Sequence, residues 1–416
     1  MGTRAGAPDA PRPDGTDRPH STADTADTAG AGGAGAGRAA PRRRALLGAA
    51  AAGTAAAGTA LALGAPASAA RRSRRGDGAA LPVPTVIAHR GASGHRPEHT
   101  LGAYQFAVDL GAHVVEQDIV PTRDGHLVCR HENDITGTTD VADHPEFADR
   151  ETTKTIDGTR ITGWFTEDFT LAELRTLRAT ERIPANRPHN TLYDGRWRVP
   201  TLEEVLQWAD RTGRRRGEPV WLHIETKHPT YFRGLGLGLE ERLARLLRRY
   251  GRHRRDAPAF VQSFEPSSVR RLARLVDTPG VVLLAGAGSR PWDFVVGGDP
   301  RTTADLVTPS GLAWIASYAR GIGPTLDLVI PRDAAGRLTT PTTLVADAHR
   351  AGLLLHPYTL RNENPFLPAE YRRGTEPDGY GDAFGAFRRY FATGIDGIFT
   401  DHPDTALLAR ADFVNR

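Results

Sequence analysis

The residues best suited to chemistry sit at the ends of short apolar runs. His89 and Arg90 close one run, and Glu98 follows in Pro97-Glu98-His99-Thr100. Glu116 and Asp118 lie two apart in Val-Val-Glu-Gln-Asp, so on a strand both face the same side. His131 ends another run, and Glu225 and Lys227 lie two apart in Trp-Leu-His-Ile-Glu-Thr-Lys. Tyr358 and Asp401 stand at the ends of two later runs. Carboxylates sharing one face repel, and burying them is costly unless positive charge sits between them. Glu116, Asp118 and Glu225 converging on one mouth suit a hard divalent cation, Ca2+ or alternatively Mg2+, with waters completing its shell. The competing arrangement is a structural ion network with Arg90 and Lys227; three acids facing two bases favour the metal. His89 and His131 suit a general acid–base pair, since an imidazole titrates at about pH 6.5. Arg90 and Lys227 suit an anionic substrate, the guanidinium as a fork for phosphate oxygens. Together these groups point to cleavage of a phosphodiester. His95, His99, His223, His228 and His356 are read as packing or supporting residues.

The elements that must position these residues follow from patterning. Candidate strands are 86–89, 114–118, 127–131, 221–225, 260–264, 281–285, 326–330, 353–358 and 397–400. Helical patterns such as Thr-Leu-Glu-Glu-Val-Leu-Gln-Trp and Ser-Ser-Val-Arg-Arg-Leu-Ala-Arg-Leu lie between most of them. Strand and helix in alternation imply an α/β fold with a parallel sheet, and eight repeats close a (β/α)8 TIM barrel. One candidate is surplus. A parallel neighbour needs a crossover of about a dozen residues. The link from Asp118 to Leu127 is too short for one and contains Asp124-Gly125, a hairpin signal. The run 127–131 should therefore return antiparallel and bring His131 back near Asp118. Residues 132–200 read as a small insertion after this second-strand hairpin, with one helix in Thr-Leu-Ala-Glu-Leu-Arg-Thr-Leu-Arg-Ala and much loop. A second long loop, 361–383, should lie over the same rim.

Composition bounds the rest. Residues 1–40 have few large apolar side chains and read as a disordered leader. Arg42, Arg43 and Arg44, the apolar run from Ala45 to about Leu63, and Ala67-Ser68-Ala69 read as a signal peptide ending near residue 70. The paired arginines favour the twin-arginine export route. Residues 71–80 read as a basic linker and 81–416 as the barrel. The implied location is secreted, periplasmic or associated with the cell wall, with no membrane anchor after cleavage. Cys129 is the single cysteine, so no internal disulfide forms. The net charge of +4 is modest and shows no nucleic-acid-binding stripe.

The ordered set His89-Arg90-Gly91, Pro97-Glu98-His99-Thr100, Glu116-Gln117-Asp118, Asp124-Gly125-His126, His131, Glu225-Thr226-Lys227, Ser263-Phe264 and Gly397-Ile398-Phe399-Thr400-Asp401-His402-Pro403 resembles the glycerophosphodiester phosphodiesterases. The likeness runs across nearly all of 84–410, and its details look most like the periplasmic, calcium-using branch. The resemblance implies a small-molecule glycerophosphodiester substrate split into sn-glycerol 3-phosphate and an alcohol. It implies metal ligands Glu116, Asp118 and Glu225, acid–base residues His89 and His131, and phosphate contacts Arg90 and Lys227. Glu98 falls near the glycerol and metal position, and Tyr358 stands where many members carry tryptophan. Glu132 replaces the commoner Asp after His131. Rival readings are a phospholipase D-like or inositol-phospholipid-cleaving phosphodiesterase, a secreted calcium-dependent binder of cell-wall polyanion, and a glycosidase using two carboxylates.

Overall fold

The structure, a computed structural model, describes residues 81–416. The expected leader, signal peptide and linker lie outside the described residues. The strands are β1 (Thr85–Ala88), β2 (Val114–Pro121), β3 (Leu127–Cys129), β4 (Thr152–Ile156), β5 (Thr159–Gly163), β6 (Trp221–Thr226), β7 (Ala259–Ser263), β8 (Gly280–Leu284), β9 (Gly321–Pro324), β10 (Leu354–Leu355) and β11 (Gly397–Thr400). Parallel pairing runs β10-β9-β8-β7-β6-β2-β1-β11. The seam between the first and last of these is joined by Asp396 N–H to Leu355 O at 3.1 Å, Phe399 N–H to Pro357 O at 2.9 Å and Leu360 N–H to Phe399 O at 3.0 Å. This is the expected eight-stranded parallel barrel. Nearly every residue of its strands is buried, as required when helices cover the outer face and side chains fill the inner one. β3 pairs antiparallel with β2, Ile119 opposite Cys129, so the surplus run is a hairpin arm as its short link demands.

One expected strand is misplaced. Residues 326–330 are not a strand: Leu326–Val329 is a single helical turn, and the barrel strand is the preceding Gly-Ile-Gly-Pro of β9. The physical reason is crowding. A Cβ at Gly323 would lie 2.5 Å from Leu283 Cδ2, and one at Gly321 would lie 3.0 Å from the Leu354 carbonyl. Neighbouring strands leave no room for side chains there, so the strand carries no apolar run to read. β10 is also shorter than expected, with regular pairing only at Leu354–Leu355.

The barrel interior has an aromatic floor. His223 stacks on Phe260 with ring centroids 4.9 Å apart and meets Phe399 and His356 edge-on at 5.1 and 5.7 Å. Burial lowers both imidazoles, His356 to about 4 and His223 well below its usual range, so both serve as neutral packing groups.

The insertion is ordered. β4 and β5 form a hairpin whose turn, Asp157-Gly158, has two positive φ angles, 45° and 83°. The expected helix shrinks to Leu171–Leu174, with Thr170 and Glu173 capping each other reciprocally. Phe147, Trp164, Phe169 and Leu174 join the core around β2 and β6. Among the described residues no helix is long and apolar enough to cross a membrane.

The helix Leu202–Arg216 leads into β6 and starts with the same reciprocal cap between Thr201 and Glu204. Thr201→Ala should cost about 1 kcal/mol, read as a lower urea midpoint with an unchanged slope.

Candidate active site

The expected site residues come together at the C-terminal ends of the strands. His89, Glu116, His131, Glu225, Phe264 and Tyr358 line one compact cavity. Beside it lies a cleft of about 580 Å3 that shares Glu225, Phe264 and Leu283 and is walled by Asp157, Gly158, His228 and Trp292. Arg90, Glu98, Asp118 and Lys227 are buried around the same mouth.

The chain leaving β1 turns sharply, with φ of 58° at Arg90 and 88° at Gly91. A side chain at Gly91 would be strained, and its Cβ would lie 2.8 Å from the Ala103 carbonyl carbon. This turn aims the Arg90 N–H at Glu116 Oε2, 2.7 Å away. The guanidinium donates to Glu98 Oε2 at 2.8 Å, and its Nε lies 3.7 Å from Asp118 Oδ2. Arg182, from the insertion, reaches the same Glu98 oxygen at 2.9 Å. Arg130 holds the Glu98 backbone carbonyl at 2.8 Å. His99 lies 2.8 Å from Asp118 Oδ2 through Nε2 and 2.9 Å from the Tyr104 hydroxyl through Nδ1.

The donor set fits a hard cation. His99, Glu116 and Asp118 each offer a ligand atom within 4.8 Å of the others. The β2–β6 register sets Asp118 beside Glu225. Asp118 Oδ1 and Glu98 Oε1 are buried without a hydrogen-bond partner. Burial, then Asp118 and Glu225, push the Glu116 carboxyl well above its usual range. Burial, opposed by Lys227 and reinforced by Asp118, pushes Glu225 up to about 8. Asp118 stays well below its usual range because His99 and Lys227 outweigh the burial. Crowded oxygen ligands of this kind are what a divalent ion relieves. His99, read from sequence as a supporting residue, belongs to this cluster.

Each candidate acid–base histidine has a carboxylate at Nδ1. His89 Nδ1 lies 2.5 Å from Asp401 Oδ1. Asp401 Oδ2 accepts from Arg187 at 2.5 Å and from Arg361 at 2.8 Å. Arg187 continues to Glu363 at 2.7 Å and to the Ser93 carbonyl at 3.0 Å. His131 Nδ1 lies 2.9 Å from Glu132 Oε1, and its Nε2 lies 3.2 Å from Lys227 Nζ. Burial, then Arg90 and Lys227, lower His131 to about 4. Lys227 also lies 3.1 Å from Glu225 Oε1, and Glu225 and Glu132 keep it charged against its burial. Tyr358 gives its ring to the cavity, and its hydroxyl donates to Leu284 O at 3.1 Å. Sequence reading missed Arg187, Arg361 and Glu363, because nothing in local spacing marks an arginine that meets its partner across the whole fold. His228, read from sequence as a packing or supporting residue, takes the supporting place and bridges two carboxylates, Glu132 and Asp157.

A match to the glycerophosphoryl diester phosphodiesterase family spans residues 89–405. The Arabidopsis thaliana glycerophosphodiester phosphodiesterase GDPD6 is 35% identical over 331 residues, 76% of this chain and 83% of its own length. The Haemophilus influenzae glycerophosphodiester phosphodiesterase is 26% identical, over 77% of this chain and 88% of its own. A crystallised Silicibacter pomeroyi protein, described as a glycerophosphoryl diester phosphodiesterase, shares the fold with a TM-score of 0.57 at 24% identity, covering 80% of this chain and 94% of that one. The chain belongs to the glycerophosphoryl diester phosphodiesterase family. It is an enzyme, a phosphoric diester hydrolase of the glycerophosphodiester class.

The Asp401 network sets an acid limit on stability. Burial would raise this carboxyl, but Arg361, Arg187 and His89 hold it well below its usual value. Its contribution is therefore present above the unfolded value of about 3.9 and is lost as pH falls through the folded one. Asp401→Asn leaves Arg187 and Arg361 with an unbalanced buried charge and should cost about 3–5 kcal/mol at pH 7. Urea unfolding at pH 7 and pH 3 should show that gap narrowing in acid. Equal stability at pH 7 would contradict this account.

Proposed function

We propose that the chain is a secreted, metal-assisted glycerophosphodiesterase of the calcium-using branch. It releases sn-glycerol 3-phosphate and an alcohol, with His89 and His131 as the acid–base pair. The observation that carries the reading is the single cavity in which both imidazoles face Glu116 and Glu225. The names of the Arabidopsis and Haemophilus relatives support the substrate class.

Arg90 and Lys227 bind the phosphate oxygens, and Glu98 fixes the Arg90 fork through the 2.8 Å contact. One imidazole takes the proton of the nucleophile, and the other gives a proton to the leaving alcohol oxygen. Direct attack by water and attack by the glycerol 2-hydroxyl through a cyclic phosphate both use this pair. An arriving phosphate adds negative charge opposite Lys227 and raises the proton affinity of His131, so the imidazole can cycle near neutral pH. Glu116, Asp118 and Glu225, with His99 on Asp118, would hold Ca2+ or Mg2+. Such an ion supplies charge neutralisation of the phosphate oxygens. Export rests on Arg42–Arg44, the apolar run that follows and Ala67-Ser68-Ala69. The N-terminus of the exported protein should therefore begin just after Ala69, as read by Edman sequencing.

The decisive assay is release of glycerol 3-phosphate from glycerophosphocholine by protein lacking its leader, with calcium and with excess chelator. Release should depend on calcium. It should fall by roughly 10²–10⁴-fold in His89→Ala and in His131→Ala, and be lost in Glu116→Gln. Unchanged turnover in both histidine variants would overturn the acid–base assignment. Full activity in chelator would overturn the metal.

A further inference from the structure

The insertion does more than cover the barrel, because its hairpin reaches one candidate acid–base histidine through two further side chains. Asp157, in the β4–β5 turn, lies 2.6 Å from His228 Nδ1 through Oδ2. His228 Nε2 lies 2.7 Å from Glu132 Oε2. The other Glu132 oxygen, Oε1, lies 2.9 Å from His131 Nδ1. We infer that Asp157 is a positioning residue for His131, acting through His228 and Glu132, so that the hairpin is a clip fixing one acid–base imidazole. The inference rests on the proposed role of His131.

Three features make this more than a surface ion pair. His228 has φ 48° and ψ 44°, a left-handed conformation unfavourable for a side chain, and it directly precedes Pro229. Backbone strain of this kind persists where surrounding contacts over-determine the residue, and here carboxylates grip both ring nitrogens. The hairpin itself is fixed. Lys154 of β4 pairs with Glu167 at 2.9 Å and Asp168 at 2.7 Å, and a Cβ on Gly158 would lie 3.0 Å from the Trp292 ring. Finally, Glu132 is long enough to serve both imidazoles, one with each oxygen.

The charges are consistent with the geometry. His228 faces Glu132 and Asp157; burial would lower it, but these carboxylates push it up to about 10. It is therefore an imidazolium at neutral pH and keeps Glu132 anionic. An anionic Glu132 holds the proton on His131 Nδ1 and presents Nε2 to the cavity. His131 itself faces Glu132, Lys227 and Arg90, with Glu98 and Asp118 at longer range.

The test is a double-mutant cycle on leaderless protein with calcium and glycerophosphocholine. Asp157→Asn and His228→Gln should each lower kcat about tenfold, with KM little changed. Asp157→Glu should recover most of the loss, and Arg160→Ala, exposed on the same hairpin, should lose nothing. In a His131→Ala background, Asp157→Asn should add no further loss. Proton NMR of the imidazoles gives a readout independent of turnover, in which the His228 titration should move down in Asp157→Asn. Wild-type kcat in Asp157→Asn, or an undiminished loss in the His131→Ala background, would overturn the clip. Full activity of His131→Ala alone would instead overturn the acid–base reading on which it rests.

Discussion

Buried negative charge is the constraint on which the barrel mouth is built. Glu98, Glu116, Asp118, Glu225 and Asp401 are all buried within one rim. Desolvating that many carboxylates is prohibitive unless each finds a cation, a proton or a hydrogen-bond donor. Arg90, Arg182, Arg187, Arg361 and Lys227 answer part of this demand by direct ion pairs. Glu116 and Glu225 remain under-compensated, and their raised proton affinities are the physical trace of the deficit. An arrangement that stays unbalanced in the middle while its edges are neutralised fits the proposed cation, whose charge would make up the deficit. The same deficit weighs against a closed structural ion network.

The parallel register supplies the acids, and the insertion supplies much of the compensation. β2 and β6 set Asp118 beside Glu225 without any loop geometry being needed. Arg182 and Arg187 come from the insertion and close on Glu98 and Asp401. Asp157 comes from the same segment and reaches His228. Segment 132–200 is therefore part of the site's electrostatics. Its fixed position follows from Phe147, Trp164, Phe169 and Leu174 being buried in the core beside β2 and β6.

Sequence reading worked where the signal was local. Alternating carboxylates on one strand face, a histidine closing a strand and a turn too short for a crossover all follow from period and length, and each was found where expected. It failed where the determining contact was distant or sterically negative. β9 had no apolar run, because glycines at 321 and 323 are what its neighbours allow. Arg187 meets Asp401 across 214 residues of sequence. Glu132 after His131 was visible as an exchange of Asp for Glu, but its consequence needs the position of His228.

The histidines show why residue type alone could not assign roles. His223 and His356 lie inside the same barrel as His89 and His131, yet their rings pack against each other and against Phe260 and Phe399. Without a carboxylate at hydrogen-bonding distance, burial leaves them neutral. His89 and His131 are also desolvated and also have lowered proton affinity. The difference is Asp401 and Glu132, each of which fixes Nδ1 and can stabilise an imidazolium when one forms. His131, neutral at rest and close to Arg90 and Lys227, would hold a second proton only while negative charge occupies the mouth. Under the proposed acid–base roles, proton transfer would be coupled to substrate binding, and the carboxylates behind the two rings are what distinguish His89 and His131 from the packing histidines.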